Sequence, residues 1–142
     1  NQALEGNQIK LGNVYTRRDF LYVADTVDAI IKTVNSKKIL LGEEINLGTN
    51  FTIKVIDVVK IISSILGKKL NLKLNKQKLR PKTSEVDVLM CDYSKALKKL
   101  NWKPKFQGSK GLKEALKITI DWYKKNSHND LLNPRNTNNS YK

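Results

Sequence analysis

An α/β fold is predicted for this chain, on three observations. Short apolar segments with two-residue spacing alternate with longer stripes whose apolar residues recur every three or four positions. Glycines close several of these segments, among them Gly48 and Gly67. The 142 residues are enough for one cored domain. No internal repeat and no domain boundary is evident within 1–125, so one lobe is expected there.

Residues 1–6 read as the tail of a helix, with Gly6 as a left-handed cap. The sequence opens at Asn1 rather than Met, on such a tail, and something is expected to precede it. Ile9 and Leu11 alternate with polar neighbours and predict a short strand before Gly12 and Asn13. Residues 20–23 are apolar and aromatic and predict a brief extended segment. Asp25 is expected to be an N-cap, its carboxylate taking orphan backbone N–H groups. Val27, Ile30, Ile31 and Val34 then form one face of a helix ending near Asn35.

Segments 39–41 and 44–47 are short and apolar. Val55, Val58, Val59, Ile62 and Leu66 mark the buried side of a longer helix stopped at Gly67. Leu70, Leu72 and Leu74 alternate with Asn71 and Lys73, the pattern of a half-buried strand. Pro81 interrupts the chain after this strand, and residues 86–90 predict another extended piece. Asp92 is expected to cap a short helix using Ala96, Leu97 and Leu100, broken by Asn101, Trp102 and Pro104. The last helix covers about 110–125, with Leu112, Ala115, Leu116, Thr119 and Trp122 or Tyr123 inward. Residues 126–142 are a polar tail, expected to be flexible, with little to bury.

The formal charge is +14, from 27 Lys+Arg against 13 Asp+Glu, which favours anionic ligands. Nearly all the excess is lysine; the arginines are Arg17, Arg18, Arg80 and Arg135. Base reading relies on the planar arginine fork, so a dedicated nucleic-acid partner is disfavoured. One cysteine, Cys91, excludes an intrachain disulfide and a thiol cluster, and fits a reducing, cytoplasmic setting. No run approaches the ~20 apolar residues of a membrane span, and no signal-peptide pattern opens the chain.

Catalytic equipment is sparse. His128 is the only histidine, which removes a histidine triad or a multi-histidine metal site from this chain. No Gly-rich dinucleotide or phosphate loop occurs. None of Tyr15, Tyr22, Tyr93 and Tyr123 is followed by lysine four residues later. No catalytic and no metal-binding residue is therefore assigned.

Arg18 is the sharpest binding candidate, because a guanidinium aimed into a cleft can hold two phosphate oxygens at once. The alternative is a surface arginine paired with Asp19 or another carboxylate. Arg17 is expected to be exposed, since adjacent extended residues point opposite ways. Asp25 is read as structural. Asp19 either orients Arg18 or satisfies backbone donors, and Tyr22 is core or cleft wall. A second cluster runs from Arg80 through Pro81 to Glu85 and Asp87. Pro81 holds Arg80 extended, so Arg80 could clamp a diphosphate opposite Arg18, with Glu85 or Asp87 accepting from sugar hydroxyls or holding an arginine. A charged loop with internal ion pairs is the plainer alternative.

These residues carry a resemblance. Arg18-Asp19-Phe20-Leu21-Tyr22-Val23-Ala24-Asp25 resembles the R-D-F-x-Y-V-x-D segment of extended short-chain dehydrogenase/reductases that act on nucleotide sugars. Gly42-Glu43-Glu44-Ile45-Asn46-Leu47-Gly48 is similar to their G-E-x-x-N-[IL]-G segment. Arg80-Pro81, Ser84-Glu85-Val86, Asp92-Tyr93-Ser94-Lys95-Ala96 and Leu100-Asn101-Trp102-Lys103-Pro104 resemble the later R-P, S-E-V, D-x-S-K-A and L-G-W-x-P motifs, with Asn101 where glycine is common. Gly111-Leu112 and Ile120-Asp121-Trp122-Tyr123 resemble the closing helix.

The resemblance implies that residues 1–125 are the C-terminal, sugar-nucleotide-binding part of an NAD-dependent 4,6-dehydratase, including the last portion of its Rossmann-like sheet. The GDP-mannose and UDP-N-acetylglucosamine dehydratases are the nearest types. It implies that Arg18 and Arg80 contact the substrate diphosphate and that Glu85 lies near the ribose. The longer spacing from Arg80 to Glu85 favours the UDP-sugar group. NAD is implied for the complete protein, held by an N-terminal part with the tyrosine–lysine pair, and none is expected on this piece alone, which would be inactive by itself. A homo-oligomer is implied for the complete enzyme, and no membrane. A C4-epimerase of the same fold is the close alternative. Two others stay open. One is a non-catalytic polyanion or nucleic-acid module. The other is a structural remnant that, apart from its sheet, exposes edge backbone and part of the Val/Ile-rich helix surface.

Overall fold

The computed structural model describes residues 1–81 and 83–126. The polar tail predicted over 126–142 falls outside them, apart from Asn126, which ends a helix. Two short sheets and two helix pairs make up the architecture. In chain order the elements are α1 (Gln2–Glu5), β1 (Gln8–Leu11), β2 (Arg17–Arg18), α2 (Val23–Val34), β3 (Ile53–Lys54) and α3 (Val55–Leu66). Then come β4 (Asn71–Leu74), a 3₁₀ turn (Lys76–Lys78), β5 (Val88–Leu89), α4 (Ser94–Leu100) and α5 (Gly108–Asn126).

Strands β1 and β4 pair in parallel, Gln8 opposite Asn71 and Leu11 opposite Leu74. In the second sheet β2 lies between β3, antiparallel, and β5, parallel. A parallel neighbour requires a long crossover, and the chain between β2 and β5 supplies it with α2, β3, α3 and β4. Helix α3 ends as its sequence predicts: Gly67 takes the left-handed conformation (φ 63°), and the Lys68 N–H donates to the Ser63 carbonyl. Helix α4 ends the same way on Asn101 (φ 50°), the non-glycine residue best suited to that conformation. The Asn-for-Gly departure is thus accommodated.

The core centres on Ala29, Ala96, Leu100 and Trp102, with Leu21, Ile39, Ile45, Leu47 and Tyr93 packed against it. Trp102 is fully buried and its indole N–H donates to the Asp25 carbonyl at 3.2 Å. Asp25 is structural, as expected, but it is not the N-cap. Helix α2 begins two residues earlier, after Tyr22, and the buried Asp25 carboxylate instead accepts from the Lys105 and Phe106 backbone N–H groups at 3.0 and 3.2 Å. It fastens the start of α2 to the loop before α5. A local reading cannot see partners 80 residues away.

Other expectations change too. Gly6 is extended, not left-handed (φ −164°). The extended segment expected over 20–23 is replaced by β2, because the ladder bonds lie at Arg17 and Arg18 and the helix already starts at Val23. Asp92 does act at the start of α4: its carboxylate accepts from the Ser94 N–H at 2.8 Å and from the Ser94 hydroxyl, and these bonds lower its pKa. Trp122 and Tyr123 are exposed, and Ile120 takes the inward position on α5.

Candidate functional site

The central strand β2 presents two arginines to opposite sides. Arg17 is half-buried rather than exposed: its Nε donates to the Thr52 hydroxyl at 3.0 Å and its Nη2 to the Thr52 carbonyl at 2.7 Å. It therefore ties β2 to β3. Arg18 turns the other way, towards the chain leading into β5. Its Nη1 donates to the carbonyls of Arg17 (2.8 Å), Val86 (2.8 Å) and Asp87 (3.5 Å), and its Nη2 to a Glu85 carboxylate oxygen at 3.0 Å. The Arg18 and Glu85 side chains are 23% and 14% exposed, so the pair sits partly sheltered. Arg18 Nε has no acceptor among the described residues.

The carboxylate that pairs with Arg18 is the distant Glu85, not the adjacent Asp19. Asp19 does not touch Arg18; it satisfies donors. Its carboxylate accepts from the N–H of Thr49 (3.0 Å), Asn50 (3.1 Å) and Cys91 (3.3 Å), and from the Thr49 hydroxyl. Gly48 makes room for this node. A Cβ there would lie 2.3 Å from Cys91 Cβ and 3.0 Å from Asp19 Oδ2. Burial, with the Asp19 and Asp92 carboxylates nearby, pushes the Cys91 thiol pKa up, so Cys91 is a packed thiol rather than a nucleophile.

Arg80 is exposed and makes no hydrogen bond or ion pair with the described residues. A turn links it to Glu85, in which the Pro81 carbonyl accepts from the N–H groups of Ser84 and Glu85. The structure thus joins Glu85 to Arg18 directly and leaves Arg80 unattached. Asp19 takes one of the two roles the sequence allows, satisfying backbone donors, but which segments supply them, and the Arg17–Thr52 clasp, escape a reading of the sequence alone. Their only local trace is Gly48-Thr49-Asn50, a turn-forming run.

Elsewhere the surface offers different chemistry. A hollow of about 320 Å³ between the start of α2 and α5 is lined by Phe20, Tyr22, Val58, Phe106 and Leu112 and holds no charged group. Another of about 370 Å³ is lined by Lys32, Lys37, Lys38 and Lys99 near the carboxyl ends of α2 and α4. Lysines there complement the negative helix ends, which accounts for them without a polyanion.

The fold and its ordered motifs define an α/β, Rossmann-like protein of the NAD-dependent nucleotide-sugar epimerase/dehydratase class, within the extended short-chain dehydrogenase/reductases. The chain belongs to the GDP-mannose 4,6 dehydratase family, whose model matches residues 1–115. It is 31% identical over 121 residues to mouse dTDP-D-glucose 4,6-dehydratase, covering 83% of this chain and 32% of that protein. It is 34% identical over 124 residues to UDP-glucuronate 4-epimerase of Thermodesulfobacterium geofontis, covering 86% and 35%. Among solved structures, the UDP-glucuronic acid 4-epimerase of Bacillus cereus, in complex with UDP-glucuronic acid and NAD, aligns with a TM-score of 0.75 at 26% identity, over 87% of this chain and 37% of that one. The NAD-bound dTDP-glucose 4,6-dehydratase of Bacillus anthracis aligns with 0.68 at 27%, over 88% and 37%. The chain therefore spans about a third of the length of the relatives it matches.

The described residues do not fit a dinucleotide. Its pyrophosphate needs glycines whose missing Cβ leaves room at a strand–turn–helix junction. Here the space beside Gly12, Gly48 and Gly111 is taken by Lys78, Cys91 and Phe106, and Gly6, Gly42, Gly67 and Gly108, which border open space, do not lie between a strand and the helix that follows it. No step through NAD is assigned to these residues. Among the described residues no group of three or more metal-binding side chains occurs and no helix is long and apolar enough to cross a membrane.

Proposed function

We propose that this chain is the part of a nucleotide-sugar epimerase or dehydratase that grips the sugar nucleotide, with the NAD cradle and the proton-transfer residues supplied by sequence outside it. The observation that supports this is the state of Arg18. Its guanidinium is partly sheltered and fixed by three backbone carbonyls on Nη1 and the Glu85 carboxylate on Nη2, while Nε has no acceptor among the described residues. Such a group is oriented before any ligand arrives, and a diphosphate oxygen can take the Nε–H beside the Glu85 contact at little further ordering cost. Arg80, on the turn before Glu85, supplies a second, mobile cation to the same diphosphate, and Glu85 accepts from the ribose hydroxyls. The complete protein works in the cytoplasm as a homo-oligomer.

Of the two chemistries, C4 epimerisation has the somewhat stronger support, because the UDP-glucuronate 4-epimerase relative is 34% identical over 86% of this chain and the mouse dehydratase 31% over 83%. In the first, a ketone at C4 is reduced back from the other face; in the second, water leaves across C5 and C6. Product analysis of the complete protein separates a C4 epimer from a 4-keto-6-deoxy sugar.

The grip itself is tested on this chain by titration with UDP-glucose and GDP-mannose beside a nonspecific DNA duplex at two salt concentrations. Saturable sugar-nucleotide binding is expected, with little duplex binding. Arg18→Ala should weaken it by about ten- to a hundredfold, the worth of a charge-assisted hydrogen bond. Unchanged affinity in that variant removes Arg18 from the site, and salt-sensitive duplex binding alone overturns the assignment.

A further inference from the structure

We infer that Asp19 is a positioning residue: its carboxylate fixes the place from which Arg18 reaches the diphosphate. The inference rests on the sugar-nucleotide reading and adds a residue that reading does not use. Strand β2 is two residues long, and its pairing with β5 covers only Arg17 opposite Val88 and Arg18 opposite Leu89. Two flanking bonds extend the ladder, Arg17 N–H to the Asp87 carbonyl at 2.7 Å and Asp19 N–H to the Leu89 carbonyl at 3.1 Å. Beyond them the Cys91 N–H goes to the Asp19 carboxylate at 3.3 Å. The side chain thus continues the ladder past Asp19.

The same carboxylate holds the other flank. It accepts from the Thr49 and Asn50 N–H groups and the Thr49 hydroxyl. That turn leads through Phe51 to Thr52, which grips Arg17, and on to β3. One side chain therefore locks β2 against both neighbours immediately beside Arg18. The carbonyls of Val86 and Asp87 and the Glu85 carboxylate, which orient Arg18, ride on the β5 side of this lock. Without it two residues of ladder are left to set their distance from Arg18. An ionised carboxylate serves four donors where a neutral amide has one acceptor oxygen and two hydrogens to place against them.

The test is a double-mutant cycle on UDP-glucose affinity, with thermal midpoints measured alongside. Asp19→Asn is expected to weaken binding by about tenfold in the otherwise unchanged chain. In the Arg18→Ala background it should cost less than about twofold, because no guanidinium remains to be placed. Its effect on the thermal midpoint should be the same in both backgrounds. A purely structural Asp19 gives equal affinity losses in both, and that result overturns the inference. Wild-type affinity in Asp19→Asn, with Arg18→Ala weakened, overturns the inference and spares the sugar-nucleotide reading. An Arg18→Ala variant that binds as tightly as the parent, or a parent that binds no UDP-glucose, overturns both. If Asp19→Asn does not fold, Thr49→Val removes one donor from the carboxylate and takes its place in the cycle, with about a threefold loss expected only when Arg18 is present.

Discussion

Helices α2 and α3 each run for twelve residues, and each carries a stripe of valine and isoleucine. On α3 the stripe is covered: Val59 is 7% exposed, and Val58, Ile62 and Leu66 are half-buried. On α2 the stripe is open, with Ile30 and Ile31 about half exposed and Val34 80% exposed. Helix α2 instead meets α4 through the opposite face, where Ala29 and Asp25 are buried. A small side chain there lets the backbone approach Trp102, and Asp25 brings its own partners from the loop before α5. Hydrophobic periodicity therefore reports that a helix forms. It does not report which face its neighbours cover.

The comparison breaks most sharply on α3. Val59→Ala should lower stability by about 1–2 kcal/mol, from two lost methyl groups and the gap they leave, less a few tenths returned by alanine's higher helix propensity. Urea unfolding of both proteins measures it. A loss below about 0.5 kcal/mol would mean that the α3 stripe is no better packed than an ordinary surface.

That contrast also marks what was legible beforehand. Helix α3 and its Gly67 stop, strands β1 and β4, and the short helix α4 follow from spacing and local turn chemistry, each contained in a dozen residues. The partners at the site are not local. Arg18 finds Glu85 across 67 positions, Asp19 finds Thr49 across 30 and Cys91 across 72, and Asp25 finds Phe106 across 81. A sequence shows that an aspartate needs donors but not which segment delivers them. It offered Arg18 a diphosphate or a carboxylate, Asp19 or another, and tertiary pairing decided only which carboxylate, Glu85. Arg80 differs from Arg18 in having no partner among the described residues, so nothing in the fold says where its side chain points.

The second difference is in what holds the two helices. The loop after α2 is tied to α4 by charge: Glu43 meets Lys95 at 3.3 Å and Lys99 at 3.2 Å, and its carboxylate also accepts from the Leu40 N–H. The Leu40 bond, then Lys99, then Lys95 lower its pKa from 4.5 to about 2. A carboxyl depressed on folding stabilises the folded state above its unfolded pKa and loses that contribution as pH falls through the folded one. The stability gap between the parent and Glu43→Gln should therefore be full above pH 4.5 and close by about pH 2. Urea midpoints across that range test it. A gap independent of pH would mean that the Glu43 charge contributes nothing to holding the α2 flank.

The smallest expected effect falls on the open face of α2. Ile31→Ala removes as much side chain as many core truncations, which usually cost about 2–5 kcal/mol. At a residue that is 55% exposed the change should stay within about 0.5 kcal/mol. Alanine's helix propensity could even make it slightly stabilising, because a β-branched side chain loses rotamer freedom in a helix and gains little packing here. Urea unfolding at two protein concentrations separates packing within the chain from packing between chains. A loss of 2 kcal/mol or more that does not depend on concentration would mean that residues of this same chain cover the stripe. A loss that grows with concentration would place the cover on a second copy, and a near-zero change at both concentrations leaves the stripe uncovered in this chain.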